Sequence, residues 1–368
     1  MRPTRRAFLG SSAALAGTAL AGCLGRVPEP ACPPAVESDG AVRIGFVGDT
    51  MLGRNVDATW DGRDPAGVWG STIDRLDVLD GLVLNLECCV SERGRRTPGR
   101  GYYFRAGPDW AVPALQAAGT SVAGLANNHL LDFGYRALRD TVTHLEAGGI
   151  ATTGAGADRS AAAAPATVTV GGIEVAVVAL TDQAPLYTAR GNSPGTAYTT
   201  LSTGDPLSRR RIDAALSRAR ERDPDLLVAT LHWGPNWEVR PSEGQQRTAR
   251  WLIDRGVDVV HGHSAHVIQG VETYRGRPIV YDAGDFVDDY LIKEGLHNDR
   301  SFLFELVVAD GTLRALDLVP VVIDDSAVGL AGETAATWLR ERLRTLSEPF
   351  GTTVERAGDG LRIPLGEC

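Results

Sequence analysis

Residues 257–266 read Val-Asp-Val-Val-His-Gly-His-Ser-Ala-His, so an apolar run passes directly into a turn that carries three imidazoles. Histidine is otherwise scarce, because the whole chain has only seven. A strand that ends in a glycine-containing turn can point several imidazoles into one cleft, and imidazole is a common metal ligand. The segment therefore predicts a buried strand that leads into a metal-binding turn.

Other short apolar runs also end in polar side chains. Asp49 follows the run 42–47, Glu87 follows 82–86, Asn127-Asn128-His129 follows 121–126, and His232 follows 226–231. Each of these residues, taken alone, could have a purely structural role instead: the asparagines could form a turn, and His232 could be a hydrogen-bonded core histidine. Functional groups gather at the carboxyl ends of strands in open α/β sheets. Together these residue types form a ligand set for one or two divalent cations.

The remaining pattern alternates strand-like and helical segments and predicts a layered α/β fold. Further strands are predicted at 173–180, 257–260, 278–281, 302–308 and 313–322, and helices at 109–118, 134–147, 206–222, 243–255 and 333–346. Asp310-Gly311 predicts a hairpin turn between the last two strands. Residues 184–205 are rich in Gly, Pro, Ser and Thr, and form either a substrate loop or a variable insertion.

The composition is acidic, with a formal net charge of -9 over 368 residues. This balance argues against nucleic acid as a partner. Lys293 is the only lysine in the chain. Scarce lysine among many carboxylates fits a high-salt environment, and a GC-rich genome is the alternative explanation.

The N-terminus reads as a targeting segment. Residues 4–9, Thr-Arg-Arg-Ala-Phe-Leu, resemble a twin-arginine export signal, and an uncharged run to residue 22 follows. Leu20-Ala-Gly-Cys23 resembles a lipobox, so we expect cleavage after the 1–22 signal peptide and lipidation of Cys23. A plain cleaved signal is the alternative. The proline-rich segment 23–40 predicts a tether that leaves the protein on the outer face of the membrane.

The order of the motifs resembles the CapA family of capsule and poly-γ-glutamate biosynthesis proteins. These motifs are GDTMLGR (48–54), NLE (85–87), LANNHLLDFG (125–134), LHWG (231–234), HGHSAHVIQGVE (261–272) and IVYDAGDFV (279–287). That family is similar to the calcineurin-type metallophosphoesterases. The resemblance implies a four-layer α/β/β/α sandwich of the metallo-dependent phosphatase type over 41–325, with 326–368 as a C-terminal helical extension packed on the same domain.

The resemblance also implies roles for single residues. The implied metal ligands are Asp49, Glu87, Asn128, His232, His263 and His266, with Glu87 at the place of a bridging aspartate. His129 would stabilise charge on the leaving group or on a phosphoryl oxygen. Asp132 would either orient His129 or cap the helix that begins near Gly134. His261 is interpreted either as a packing residue at the strand end or as a residue that supports the ligands from behind.

A divalent metal ion (Mn, Fe, Zn or Mg, one or two) is the implied cofactor, and two-metal hydrolysis is the implied chemistry. Arg54 would pair with an anionic substrate group, or would be a solvated surface residue. The chain departs from the phosphoesterase pattern at Met51, where an imidazole is missing, and in the longer spacing of His266. Asp282 and Asp285 would be further ligands or an adaptation to salt, which the neighbouring acidic residues favour.

Two functions follow from this resemblance. The first is a metal-dependent hydrolase or transferase outside the membrane that acts on an anionic polymer or a phosphoester. The second is a non-catalytic, lipid-anchored accessory subunit that guides such a polymer within a membrane polymer-synthase complex. Metal ligands alone do not decide between them, because one fold hosts many reactions.

Overall fold

The computed structural model describes residues 40–366. The predicted signal peptide, Cys23 and nearly all of the predicted tether lie outside the described residues. Within residues 40–366, no helix is both long and apolar enough to cross a bilayer.

The chain alternates strands and helices as its periodicity predicts. The strands are β1 (Val42–Thr50), β2 (Gly81–Leu86), β3 (Cys89–Val90), β4 (Arg105–Ala106), β5 (Thr120–Gly124), β6 (Ala151–Thr153), β7 (Ala155–Gly156), β8 (Ala166–Val170), β9 (Ile173–Thr181), β10 (Gly195–Thr196), β11 (Leu226–His232), β12 (Val259–His263), β13 (Val271–Tyr274), β14 (Arg277–Val280), β15 (Asp285–Val287), β16 (Arg300–Ala309), β17 (Thr312–Asp324), β18 (Ala327–Leu330), β19 (Glu355–Ala357) and β20 (Gly360–Pro364). The α-helices are α1 (Asn55–Trp60), α2 (Ile73–Leu76), α3 (Pro108–Ala117), α4 (Gly134–Ala147), α5 (Arg159–Ala162), α6 (Pro206–Arg220), α7 (Glu243–Asp254) and α8 (Glu333–Ser347), with short 3₁₀ helices at Pro65–Thr72, Pro185–Tyr187 and Glu348–Phe350.

Two sheets form the centre of the molecule. The first sheet has the order β19-β20-β17-β16-β1-β2-β5-β6, and the second has the order β13-β14-β12-β11-β9-β8. Parallel pairing joins β1, β2, β5 and β6 in the first sheet and β9, β11, β12 and β14 in the second. Parallel neighbours bring their carboxyl ends to one edge, so each sheet collects its strand ends at a single rim.

The sheets pack face to face because their strands alternate between two buried surfaces. The side chains between the sheets include Ile44, Phe46, Val83, Val122, Val175, Val177, Val228 and Val259. The opposite face of the first sheet packs on α3 and α4, and the opposite face of the second packs on α6 and α7. This arrangement confirms the predicted α/β/β/α sandwich.

The predicted elements correspond closely to those observed, with two informative differences. The strand predicted at 257–260 runs on to His263, so two of the three imidazoles lie on the strand rather than in a turn. The hairpin turn at Asp310-Gly311 is present, with both residues at positive φ. The segment after residue 325 contains α8, but it also contains β18, β19 and β20, which join the first sheet. These strands have only four, three and five residues, so they are too short to leave a clear periodic pattern in the sequence.

Candidate metal centre

A bulge in β1 decides where Asp49 points. Val47 and Asp49 pair with consecutive residues of β2, so Gly48 is the extra residue between them. A bulge of one residue reverses the alternation of side chains beyond it, and it turns Asp49 towards the second sheet. A Cβ on Gly48 would lie 1.8 Å from the carbonyl oxygen of Gly284, so only glycine fits. Asp49 Oδ1 then lies 3.3 Å from Nδ1 of His263.

The second sheet supplies imidazoles on the same inner face. Parallel pairing places His232 beside His263 and Thr230 beside His261. His232 Nδ1 lies 3.1 Å from His263 Nδ1, at the end of the strands. His261 lies two residues deeper and packs against the ring of Phe46, with 5.4 Å between ring centroids. Its place in the core agrees with the predicted packing role, and burial lowers its pKa to about 4.

The turn after β12 brings a third imidazole back to Asp49. Ser264 and His266 have φ angles of 112° and 57°, a backbone region that costs energy for residues other than glycine. The turn is held by the Ser264 N–H, which donates to Asp49 Oδ2 at 3.0 Å, and by the Ala265 N–H, which donates to Asp282 Oδ2 at 2.7 Å. The extra residue in this turn therefore does not remove His266 from the cluster.

His266 is paired with a second carboxylate. Its Nδ1 lies 2.9 Å from Asp285 Oδ1 and 3.3 Å from Asp49 Oδ2. Burial disfavours the charged imidazole, but the charge of Asp285 and the hydrogen bonds with Asp285 and Asp49 together outweigh burial and raise the pKa of His266 well above its usual value. Asp282, Asp285 and Asp288 are all buried. Their interpretation as a surface adaptation to salt is therefore wrong.

Two overlapping sets of donor atoms result. Asp49, His232 and His263 form one set, and Asp49, Glu87 and His266 form the other, each with its ligand atoms within 4.8 Å of one another. Both carboxylate oxygens of Glu87 are buried without a hydrogen-bond partner. An unpaired buried carboxylate is costly unless it coordinates a cation. The mixed nitrogen and oxygen donors and these unpartnered oxygens therefore fit a divalent metal ion.

The ionisation of Asp49, His232 and His263 suits the same ligand, whereas Glu87 and His266 would each release a proton to bind it. Burial opposes the charge on Asp49, but hydrogen bonds with His232 and His266 hold its pKa well below the usual value. Burial also lowers the pKa of His232 and of His263, so both rings are neutral at pH 7. Burial, helped by the charge of Asp49, raises the pKa of Glu87 well above its usual range. Deprotonated carboxylate and neutral imidazole are the forms that bind metals.

The two consecutive asparagines have different positions. Asn128 Oδ1 accepts a hydrogen bond from His232 Nε2 at 2.9 Å, which places its amide at the cluster. Asn127 donates to the Leu86 carbonyl at 2.8 Å and to Asn85 Oδ1 at 3.1 Å, so it ties the loop to β2. Sequence reasoning did not single out Asn85, whose Nδ2 donates to Asp49 Oδ1 at 2.7 Å.

His129 belongs to a three-residue unit beside the cluster. Its Nδ1 lies 2.7 Å from Asp132 Oδ2, and Arg100 Nε lies 2.8 Å from Asp132 Oδ1. Helix α4 begins without a side-chain cap, so the capping alternative for Asp132 is wrong. Burial lowers the pKa of His129 despite this carboxylate. Its other nitrogen, Nε2, lies 3.9 Å from Glu87 Oε1 and faces the cluster.

Arg100 and Thr230 are two further site residues that sequence reasoning missed. The Arg100 Nη2 also lies 3.2 Å from His129 Nδ1. The Thr230 hydroxyl lies 2.9 Å from His263 Nε2 and 3.2 Å from the ring of His261. Arg100 stands in a polar loop far from any strand end. Only the inward register of β11 could have indicated Thr230.

Arg54 and Met51, both in the first loop, are held by the protein. Arg54 Nε pairs with Asp289 Oδ2 at 3.2 Å, and its guanidinium stacks 4.8 Å from the ring of Tyr102. Its side chain is 28% exposed, so part of it meets solvent, and the substrate role stays a prediction. Met51 is fully buried in the core between the first sheet and its helices.

Comparison with known proteins places this geometry in a family context. The model of the bacterial capsule synthesis protein family PGA_cap matches residues 43–290. A "probable polyglutamine synthesis accessory protein" of Mycobacterium tuberculosis is 37% identical over 310 residues, 80% of each chain. The PGA biosynthesis protein CapA of Bacillus subtilis is 26% identical over 68% of this chain and 64% of its own length. The capsule biosynthesis protein CapA of Bacillus anthracis is 27% identical over 77% of this chain and 67% of its own.

Among solved structures, the crystal structure of TT1561 of Thermus thermophilus aligns with a TM-score of 0.39 at 10% identity. It covers 72% of this chain and 93% of that one.

Proposed function

Because the chain belongs to the bacterial capsule synthesis protein family PGA_cap, we propose that it takes part in the biosynthesis of a polyglutamate-type anionic polymer and acts there as a divalent-metal-dependent hydrolase or transferase. The observation that carries the proposal is the buried carboxylate of Glu87. Its two oxygens lack partners beside Asp49 and three imidazoles. Burying such a carboxylate costs free energy unless it binds a cation or takes part in a reaction.

The chemistry would be divided between the metal and the side chains around it. A divalent ion held by Asp49, Glu87 and the cluster imidazoles supplies Lewis-acid polarisation and lowers the pKa of a nearby water molecule. His129 faces the cluster through Nε2 and is suited to donate or stabilise a proton at the leaving group. Asp132 and Arg100 hold its ring in that orientation.

The test uses the purified chain that begins after Cys23. We expect near-stoichiometric Mn, Fe, Zn or Mg, and chelator-sensitive turnover of a γ-glutamyl amide or a phosphodiester. Asn128→Ala should lower turnover by about 10–100-fold, as loss of a group at a metal centre does. Asn55→Ala is the matched control, because Asn55 is exposed at the start of α1. A protein without bound metal in which Asn128→Ala behaves as wild type would contradict the proposal.

A non-catalytic accessory role is the second candidate. Met51 favours it, because this buried thioether stands where the phosphoesterase pattern has an imidazole ligand, and the mycobacterial relative is named an accessory protein. The metal would then bind carboxylates of the polymer without breaking a bond. Metal-dependent polymer binding without turnover of either substrate would favour this candidate over the enzyme.

We also propose export through the twin-arginine signal and anchoring by lipid on Cys23, with the site on the outer side of the membrane and a membrane polymer-synthase complex as the working partner. Adaptation to high salt stays a prediction. Cys23→Ala should release the protein from the membrane fraction, and mass spectrometry of the wild-type N-terminus should find a diacylglyceryl group. Membrane retention of the Cys23→Ala protein would contradict the anchor.

A further inference from the structure

A second candidate site lies outside the metal centre, against helix α6. The chain carries a net charge of -9, yet α6 has five arginines and a single acidic residue, Asp213. Such a concentration of one sign on one element of an acidic protein creates a local field that attracts anions. The basic face of α6 borders a cavity of about 400 Å³.

The cavity combines an apolar floor with a basic rim. Its floor is made by small or aliphatic side chains from α5, β9, α6 and the 188–199 loop: Ala162, Leu180, Ala189, Ala197 and Ala215. Its rim carries Arg159, Arg211 and Arg218. Ligand sites in proteins have this character, with an apolar surface and a few charged groups that select the ligand.

The rim arginines are oriented but not neutralised. Arg218 donates to the backbone oxygen and the hydroxyl of Ser160 at 2.8 and 2.6 Å, and Arg211 donates to the Tyr198 carbonyl at 3.0 Å. Among residues 40–366, no carboxylate lies within ion-pair distance of Arg159, Arg211 or Arg218.

Asp158 is the one acidic residue that lines the cavity. Its Oδ1 already accepts a hydrogen bond from the Ala161 N–H at 2.9 Å, as the cap of α5. With that oxygen engaged in the cap and no ion pair at Arg159, Arg211 or Arg218 in the described part of the chain, the rim guanidinium groups can bind an external anion. Arginine binds carboxylates through two parallel N–H groups, which adds geometric selectivity.

The cavity adjoins the metal centre through one loop. The Tyr187 hydroxyl lies 3.4 Å from Arg100 Nη1, and Arg100 contacts His129 and Asp132. The next residues of that loop, from 188 onward, line the cavity. An extended chain that occupied the cavity could therefore continue around this loop towards His129.

We infer that this cavity is a second binding subsite for an oligomeric carboxylate, a γ-linked glutamate chain, with the methylene groups on the apolar floor and the carboxylates on Arg211 and Arg218. The inference rests on the proposed function, which supplies the polymer class. The subsite would hold the polymer at a distance from the metal ions, so binding there needs no cation.

The test measures binding of a fluorescent γ-linked glutamate decamer to the purified chain by anisotropy, in EDTA so that the metal centre holds no cation. We expect binding that weakens as salt rises and that a neutral glutamine decamer does not reproduce. Arg211→Gln/Arg218→Gln should weaken binding about tenfold. Arg209→Gln/Arg210→Gln removes the same charge from exposed positions of the same helix that do not line the cavity, and should change the affinity less than twofold.

A steric variant separates the cavity from the charge of the helix. Ala214 is exposed and lines the cavity, so Ala214→Phe should fill the space, leave the charge unchanged and weaken binding as well. Equal losses in the two double-arginine variants, no effect of Ala214→Phe, or binding of polyphosphate but not of the decamer would each overturn the inference. Because the titration contains no metal, an inactive metal centre would refute the proposed function and leave this result unaffected.

Discussion

Replacing Glu87 with glutamine should have opposite effects on the metal-free and metal-loaded protein. Glu87 is fully buried, both of its oxygens lack partners, and burial raises its pKa well above the usual value of 4.5. At pH 7 the metal-free fold must therefore protonate this carboxyl or bury its charge. Protonating a carboxyl of ordinary pKa at pH 7 costs up to about 3 kcal/mol.

The direction in which stability changes with pH follows from the raised pKa of Glu87. Because the pKa of Glu87 is higher in the folded than in the unfolded protein, the protonated carboxyl contributes its full stability below pH 4.5. This contribution is lost as the pH rises through the folded pKa. Glu87→Gln removes the titration, so the metal-free variant should be about 1–3 kcal/mol more stable than wild type at pH 7. At pH 4.5 or below the two proteins should differ by much less.

Bound metal should reverse the order of stability, so that wild type becomes more stable than Glu87→Gln. At a metal concentration of about 100 times the wild-type Kd, wild type gains about 2.7 kcal/mol. A variant with about 100-fold weaker binding gains only about 0.4 kcal/mol at the same concentration. Urea unfolding followed by tryptophan fluorescence, with EDTA or with Mn²⁺, measures both quantities.

The matched control is Glu92→Gln, the same chemical change at an exposed position five residues along the chain. It should change neither the metal-free stability nor the gain from metal. If Glu87→Gln destabilises the metal-free protein and keeps the full gain from metal, the assignment of Glu87 as a metal ligand is refuted.

Three further predictions concern single side chains. His263→Ala should lower metal affinity at least about tenfold in a calorimetric titration, whereas His297→Ala should leave it unchanged; equal losses would contradict the ligand set. Burial raises the pKa of Asp182 to about 6, and the stability tied to a raised pKa is lost as pH rises through that value. Asp182→Asn should therefore stabilise the fold by about 2 kcal/mol at pH 8 and not at pH 4. A gain in stability that does not depend on pH would refute this. Asp285→Asn should lower the pKa of His266 in the metal-free protein, because Asp285 opposes the effect of burial on that ring. NMR titration of the ring measures this pKa. An unchanged pKa would show that another group stabilises the charged imidazole.

The sequence determined the local elements and most of the candidate ligands. Apolar periodicity predicts α4 within its observed bounds, because a helix of 14 residues with one buried face leaves a clear pattern. Asp49, Glu87, Asn128 and His232 stand at strand ends, where parallel topology gathers functional groups whatever the details of packing. The three imidazoles at 261–266 located the candidate site through their clustering directly after an apolar run.

Only the tertiary structure decided which of these groups meet. The bulge at Gly48 turns Asp49 inward, and it depends on a backbone approach by residue 284, more than 200 positions along the chain. The separation of His261 from His263 depends on the depth of each residue between two sheets. Arg100 reaches His129 from a loop with no periodic pattern. Periodicity records contacts within an element, whereas these contacts join elements that are distant in sequence, so their geometry appears only when the sheets pack.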